Sequence, residues 1–312
     1  MPVDPQIEAM LAAAPPWPGV RSMDLATLRQ AARDSSVMLP PAEDAPVAAT
    51  ADRTIAGPGG PLALRVYTPE GTGPFPVVVY CHGGGYVVGD LDTQDMIARA
   101  LCAWSASVVV SVDYRLAPEH PFPAAPDDAF AALEWVATHA GEIGGRADRL
   151  AVAGDSAGGN LVAAAALRAR DRGGPALRAL VNIYGSCNFP SEQTASAREY
   201  ADGPILKQDD IDWFYEQYLS DPAREQHDPQ AAPVRAASHA GLPPTFVGTA
   251  ECDPSRDDAE LFGAKVAAAG VAVEVKRYPG MVHGFASWVG FLPGARAVLQ
   301  DAAAFLKRHL ES

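Results

Sequence analysis

Two runs leave few folds open to this chain: Phe75-Pro76-Val77-Val78-Val79-Tyr80-Cys81 and Ser107-Val108-Val109-Val110-Ser111-Val112. Nearly continuous β-branched stretches do not alternate polar with apolar, so both faces of such strands must be covered. That is the pattern of central strands in a largely parallel sheet. Further strand-like segments run from Leu62 to Tyr67, Leu150 to Ala153, Leu177 to Tyr184, Pro244 to Ala250 and Val271 to Arg277. Helix-like segments fall between and after them, at Thr93 to Trp104, Ala124 to Ala140, Ser255 to Ala269 and Ala295 to His309. The alternation predicts one α/β sheet with helices on both faces. At 312 residues, 48% hydrophobic and 20% charged, the chain can bury one large α/β core.

Two stretches break the rhythm. Residues 1–46 read as helical and then proline-rich, with Ile7, Met10 and Leu11 on one helical face and Leu25 with Leu28 on another. This preface is either packed onto the α/β unit or part of a lid. Residues 188–240 carry no strand pattern and are too long for an ordinary βα connection. Ile211, Phe214, Tyr215 and Tyr218 share an apolar helical face there, which predicts a helical lid above the carboxyl ends of the strands. The core is then split into residues 47–187 and 241–312.

The stretch from Asp148 to Arg170 reads as strand, tight turn and alanine-rich helix, and its turn is Gly154-Asp155-Ser156-Ala157-Gly158. This fits the G-x-S-x-G nucleophile elbow, which pushes a serine hydroxyl into the open. In a chain rich in Gly, Ala and Ser the pentapeptide is weak evidence; its place between strand and helix strengthens it. A serine needs a base, and the base needs an orienting acid, in the chain order Ser, acid, His. His227 and His239 fall in the insertion and His309 in a terminal helix, whereas His283 follows a strand in a loop. Position selects His283. Glu251 and Asp253 both follow a strand, and Asp253 ranks first because Pro254 forces its backbone into a turn or extended form. Its role is to hold the His283 tautomer and stabilise the imidazolium.

His82-Gly83-Gly84-Gly85 closes the Phe75–Cys81 strand, and consecutive glycines let backbone N–H groups turn toward a developing oxyanion. Gly83, Gly84 and the Ala157 N–H at the helix start are the predicted donors. The spacing from Gly84 to Gly89 imitates a phosphate loop, but Asp90 stands where that loop needs lysine, and no G-x-G-x-x-G occurs. Trp213, Phe214 and Tyr215 are candidate substrate-binding residues that either line an acyl pocket or pack the lid.

The balance of 24 basic against 38 acidic residues gives a net charge of −14 with no basic run, which argues against nucleic acid or an anionic membrane as partner. No apolar stretch reaches the roughly 18 residues that span a bilayer. The segment from Met1 to Pro5 has no signal-peptide pattern, so a cytoplasmic location is expected. Cys81, Cys102, Cys187 and Cys252 are scattered and predict buried free thiols. No CxxC or HxxxH pair offers a metal site, and none is expected.

Four ordered motifs now stand together: His82-Gly83-Gly84-Gly85, Tyr114-Arg115-Leu116-Ala117-Pro118-Glu119, Gly154-Asp155-Ser156-Ala157-Gly158-Gly159, and Asp253-Pro254-Ser255-Arg256-Asp257 with His283-Gly284-Phe285. In these the chain resembles the hormone-sensitive-lipase-like (bacterial family IV) esterases of the α/β-hydrolase fold, from about residue 62 to the end. The resemblance implies hydrolysis of short-chain carboxylic esters of small molecules, without a cofactor. It also implies a cap made from the N-terminal helices and the insertion, and often a homodimer near the last strand. An amidase, lactonase or carbohydrate deacetylase on the same triad, or a non-catalytic small-molecule receptor, are the alternatives. Ser255 replaces a common leucine of that family, and Tyr184-Gly185 a common Tyr-Pro; both departures bear on pocket shape.

Overall fold

Eight strands of the described residues form one sheet: β1 (Ala49–Gly57), β2 (Gly60–Thr68), β3 (Phe75–Cys81), β4 (Val108–Val112), β5 (Gly145–Asp155), β6 (Ala179–Ile183), β7 (Thr245–Cys252) and β8 (Val273–Val282). The structure is a computed structural model and describes residues 2–14, 17–189 and 194–311. The strand order is β1-β2-β4-β3-β5-β6-β7-β8. β1, β2 and β4 pair antiparallel, and every pairing from β4 through β8 is parallel.

The two valine-rich runs are β3 and β4, paired with Val79 opposite Val110. Val77, Val79 and Cys81 enter one core cluster, while Val78 and Tyr80 enter the other. Alternate side chains of a central strand thus feed both faces, as the missing polar alternation requires. One face is covered by α4 (Ala124–His139), α5 (Ala157–Arg172) and α9 (Arg256–Ala268). The other is covered by α3 (Asp95–Ser105) and α10 (Pro293–Glu311). All four cysteines are buried and free, as expected, with Cys81 and Cys252 closing β3 and β7.

β1 carries no pattern that would announce it. Only Ile55 of its nine residues is buried, so this outer strand of the sheet has almost no apolar face to read. It forms through the short Gly57-to-Gly60 reversal, which returns the chain into β2. β8 runs five residues past the predicted Arg277, to Val282, so His283 directly follows a strand. β7 likewise continues through Glu251 and Cys252, leaving Asp253 as the first residue beyond it.

The remaining helices are α1 (Pro5–Ala13), α2 (Leu25–Val37), α6 (Ala195–Glu199), α7 (Gln208–Tyr218) and α8 (Pro222–Glu225). The N-terminal segment divides. Asp4 N–H donates to Gly280 O at 2.9 Å, and Ile7 is buried in the core cluster beside α3 and α10. The 3₁₀ turn Val20–Ser22 instead meets the insertion: Arg21 forms a bidentate pair with Glu216 and a further bond to Asp209. The insertion's residues 190–193 lie outside the described residues.

Candidate active site

The parallel strands end side by side, so the residues that follow β3, β5, β7 and β8 converge although they are far apart in the chain. Ser156 follows β5 at φ +51° and ψ −123°, a region that L-residues avoid. Its N–H donates to Ile183 O at 2.9 Å, which secures the sharp turn to the adjacent strand. Gly158 is required for close approach: a Cβ there would overlap Cys81 O of the neighbouring strand end. The elbow helix α5 therefore starts pressed against β3, and its first N–H groups face the serine.

Ser156 Oγ lies 2.8 Å from His283 Nε2, and His283 Nδ1 lies 2.7 Å from Asp253 Oδ2. Asp253 is fully buried, and its other oxygen accepts the Ser255 N–H at 2.8 Å. Glu251, the second-ranked acid, turns elsewhere and accepts the Gly280 N–H. Of the other histidines, His239 bonds to Pro233 O and His227 contacts Arg235.

A cavity of about 180 Å³ opens over this row. Gly83, Gly84, Gly85 and Ala157 line it, as do Phe214 and Tyr215. Trp213 does not; it packs edge-on behind Phe214, with ring centroids 5.4 Å apart. Leu206 and Ile211, which the pattern reading did not single out for the site, complete the apolar wall.

The glycine loop departs from expectation at one position. Gly83 N–H donates to Asp155 Oδ1 at 2.9 Å, so it is committed to a carboxylate and withheld from the cavity. Among the described residues, the N–H groups of Gly84, Gly85 and Ala157 have no protein acceptor. Gly84 sits at φ +127° and folds the loop so that its carbonyl accepts from both Val87 and Val88.

A family model described as alpha/beta hydrolase fold matches residues 78–287. An esterase of Mycobacterium tuberculosis, LipI, is 46% identical over 78% of this chain and 77% of its own length. An ethyl acetate hydrolase of Pseudomonas putida is 36% identical over 81% of this chain and 80% of its own. A hyperthermophilic esterase from the archaeon Pyrobaculum calidifontis superposes with a TM-score of 0.91 at 42% identity, covering 99% of each chain. The chain belongs to the α/β-hydrolase family. Within it, its relatives place it in the hormone-sensitive-lipase-like branch.

In this α/β-hydrolase the electrostatics follow from burial and charge. Burial alone lowers the His283 pKa, but the charge and hydrogen bond of Asp253, with Asp155 adding to them, leave it above the ordinary imidazole value. Asp155 was hidden in the sequence as an unspecified position of the pentapeptide. It is buried beneath the serine, where burial raises its pKa against the hydrogen bonds it accepts from Tyr80 and Gly83. His82 is stacked on Tyr114 with centroids 4.3 Å apart, and burial pushes its pKa down to about 4. It is neutral at working pH and holds the hydrolase's glycine loop instead of titrating.

Proposed function

We propose that the protein is a serine carboxylesterase in which Ser156, His283 and Asp253 hydrolyse short-chain acyl esters. The observation that carries this reading is the unbroken row Ser156–His283–Asp253, at 2.8 and 2.7 Å, beside unengaged N–H donors in a cavity. Relatives named as an esterase and an ethyl acetate hydrolase support the ester class. His283 Nε2 takes the Ser156 proton as Oγ attacks the ester carbonyl. The oxyanion then rests on Gly84, Gly85 and Ala157 N–H groups, at the positive end of α5. His283 returns the proton to the leaving alcohol, and a water repeats the cycle on the acyl-enzyme. Asp253, held by the Ser255 N–H, keeps Nδ1 protonated and supports the imidazolium.

Val20–Ser22, α2, α7 and the described rest of the insertion act as the cap, with the Arg21 pairs joining its two parts. A homodimer formed along the outer edge of β8 belongs to the same reading. Ser156→Ala lowers kcat on p-nitrophenyl butyrate by about 10⁴-fold or more with an unchanged circular dichroism spectrum. Asp253→Asn costs about 10³-fold or more, against less than about fivefold for Glu251→Gln. Near-parental turnover in Ser156→Ala removes the nucleophile assignment, and the reverse ranking of the acids transfers that role to Glu251.

A further inference from the structure

Resting on the esterase reading, we propose that Gln94 and Ser287 form a leaving-group subsite selecting esters of alcohols that carry additional hydroxyl groups, such as glycerol and sugars. The cavity has two unlike sides. Its cap side is mostly apolar, with Leu206, Ile211 and Phe214, and the Ser186 and Tyr215 hydroxyls beside them both donate to Asn188 O. Phe214 lies hard against the glycine loop, since a Cβ built on Gly85 would overlap its ring. A carbonyl oxygen resting on the Gly84 and Gly85 N–H groups therefore places its acyl chain along Phe214.

The other side follows His283. Ser287 sits one turn beyond it, its N–H donating to Gly284 O at 3.1 Å, and Gln94 precedes α3. Both line the cavity with Gly284. The Ser287 hydroxyl donates to Gln94 Oε1 at 3.4 Å. This leaves the Gln94 amide N–H₂ as a pair of donors and Ser287 Oγ as an acceptor, both half-buried. His283 must hand its proton to the leaving oxygen, so the alcohol has to lie on this side. Donors beside an acceptor fit a hydroxyl, which both accepts and donates.

The charge pattern narrows the class. Among the described residues no lysine or arginine lines the cavity, so it holds no partner for a carboxylate or phosphate on the alcohol. Its one carboxylate, Asp155, is bonded to Gly83, Tyr80 and Tyr184 beneath the serine and is not offered to a cation. Neutral hydroxyl groups are what remain. Hydrolysis breaks the acyl carbon–oxygen bond, His283 protonates the departing polyol oxygen, and water supplies the oxygen of the released acid.

The test compares propyl butyrate with glycerol 1-monobutyrate, which share an acyl group and differ by two hydroxyls on the alcohol. The readout is the ratio of the two kcat/KM values within one protein, so a general loss of activity cancels. The parent favours the glycerol ester by about tenfold, and Gln94→Leu and Ser287→Ala each bring the ratio toward one. Phe214→Leu changes the dependence on acyl length and keeps the ratio. A parental ratio near one, or a ratio that survives both substitutions, overturns the subsite while propyl butyrate hydrolysis leaves the esterase reading standing. Failure to hydrolyse either ester overturns both.

Discussion

Asp155 spends its carboxylate on protein donors and so ties together the parts of the site that must not move. One oxygen accepts from Tyr80 at 2.6 Å and from Gly83 at 2.9 Å, and the other from Tyr184 at 3.4 Å. Its charge also helps to raise the His283 pKa. A base with a raised pKa gives up its proton only at higher pH, so the acid limb of kcat/KM falls above the ordinary imidazole value. Asp155→Asn keeps the size and removes the charge, which moves that limb to lower pH. It also weakens a charge-assisted bond to the glycine loop, lowering kcat by about tenfold. A pH–rate profile whose acid limb stays in place would sink the coulombic role. The sequence shows Asp155 only as one position of the elbow motif and not its role, because its chemistry depends on Tyr80 and Tyr184, 75 residues before it and 29 after it. The same holds for Gly83: a glycine's place in the sequence says that its N–H can turn, not which acceptor takes it, and here Asp155 does.

At the scale of elements, the motif Tyr114–Glu119 acts as a backing plate for the glycine loop. Tyr114 stacks on His82 and donates to its carbonyl at 2.8 Å, and Ala117 N–H donates to Tyr86 O at 2.9 Å. Arg29 of α2 completes the clamp. It donates to Val87 O at 2.9 Å and Ala117 O at 3.1 Å while pairing bidentately with Glu119. The pair is partly exposed, so its direct contribution to stability is about 1 kcal/mol or less. Its larger effect is on geometry. Arg29→Ala lowers kcat by about fivefold with a shift in Tm of only about 2 °C, and Arg29→Lys recovers part of the rate. A matching loss of Tm with an unchanged kcat assigns the clamp to stability alone. The helical faces were legible where burial is one-sided, as at Leu28, which is buried. That α2 leans on the loop beneath it was not, because the contact runs through one long polar side chain.

For the whole molecule, the sheet has two unequal outer strands. β1 is short of apolar residues, and β8 has no further strand beside it among the described residues: Asp4 bonds its Gly280 end, while Val275 nearer its start is 48% exposed. An outer strand with an exposed branched residue invites pairing with a second copy. Light scattering at micromolar concentration gives twice the mass of one chain, and Val275→Lys shifts it toward the monomer with hydrolysis retained. A single-chain mass in the parent overturns the dimer. No described helix is long and apolar enough to cross a membrane, in keeping with the apolar segments read from the chain.

The sequence by itself determined the parallel core, the elbow, and the order in which serine, acid and histidine arrive. These depend on local patterns: unbroken β-branched runs, glycines flanking a serine, and a proline after an aspartate. Only the tertiary structure decided that Asp155 takes the Gly83 N–H, that Trp213 stands behind Phe214, and that Gln94 meets Ser287. Those outcomes depend on how strand ends register across the sheet. A hydrogen bond spanning 193 residues leaves no period or spacing along the chain for a reader to find.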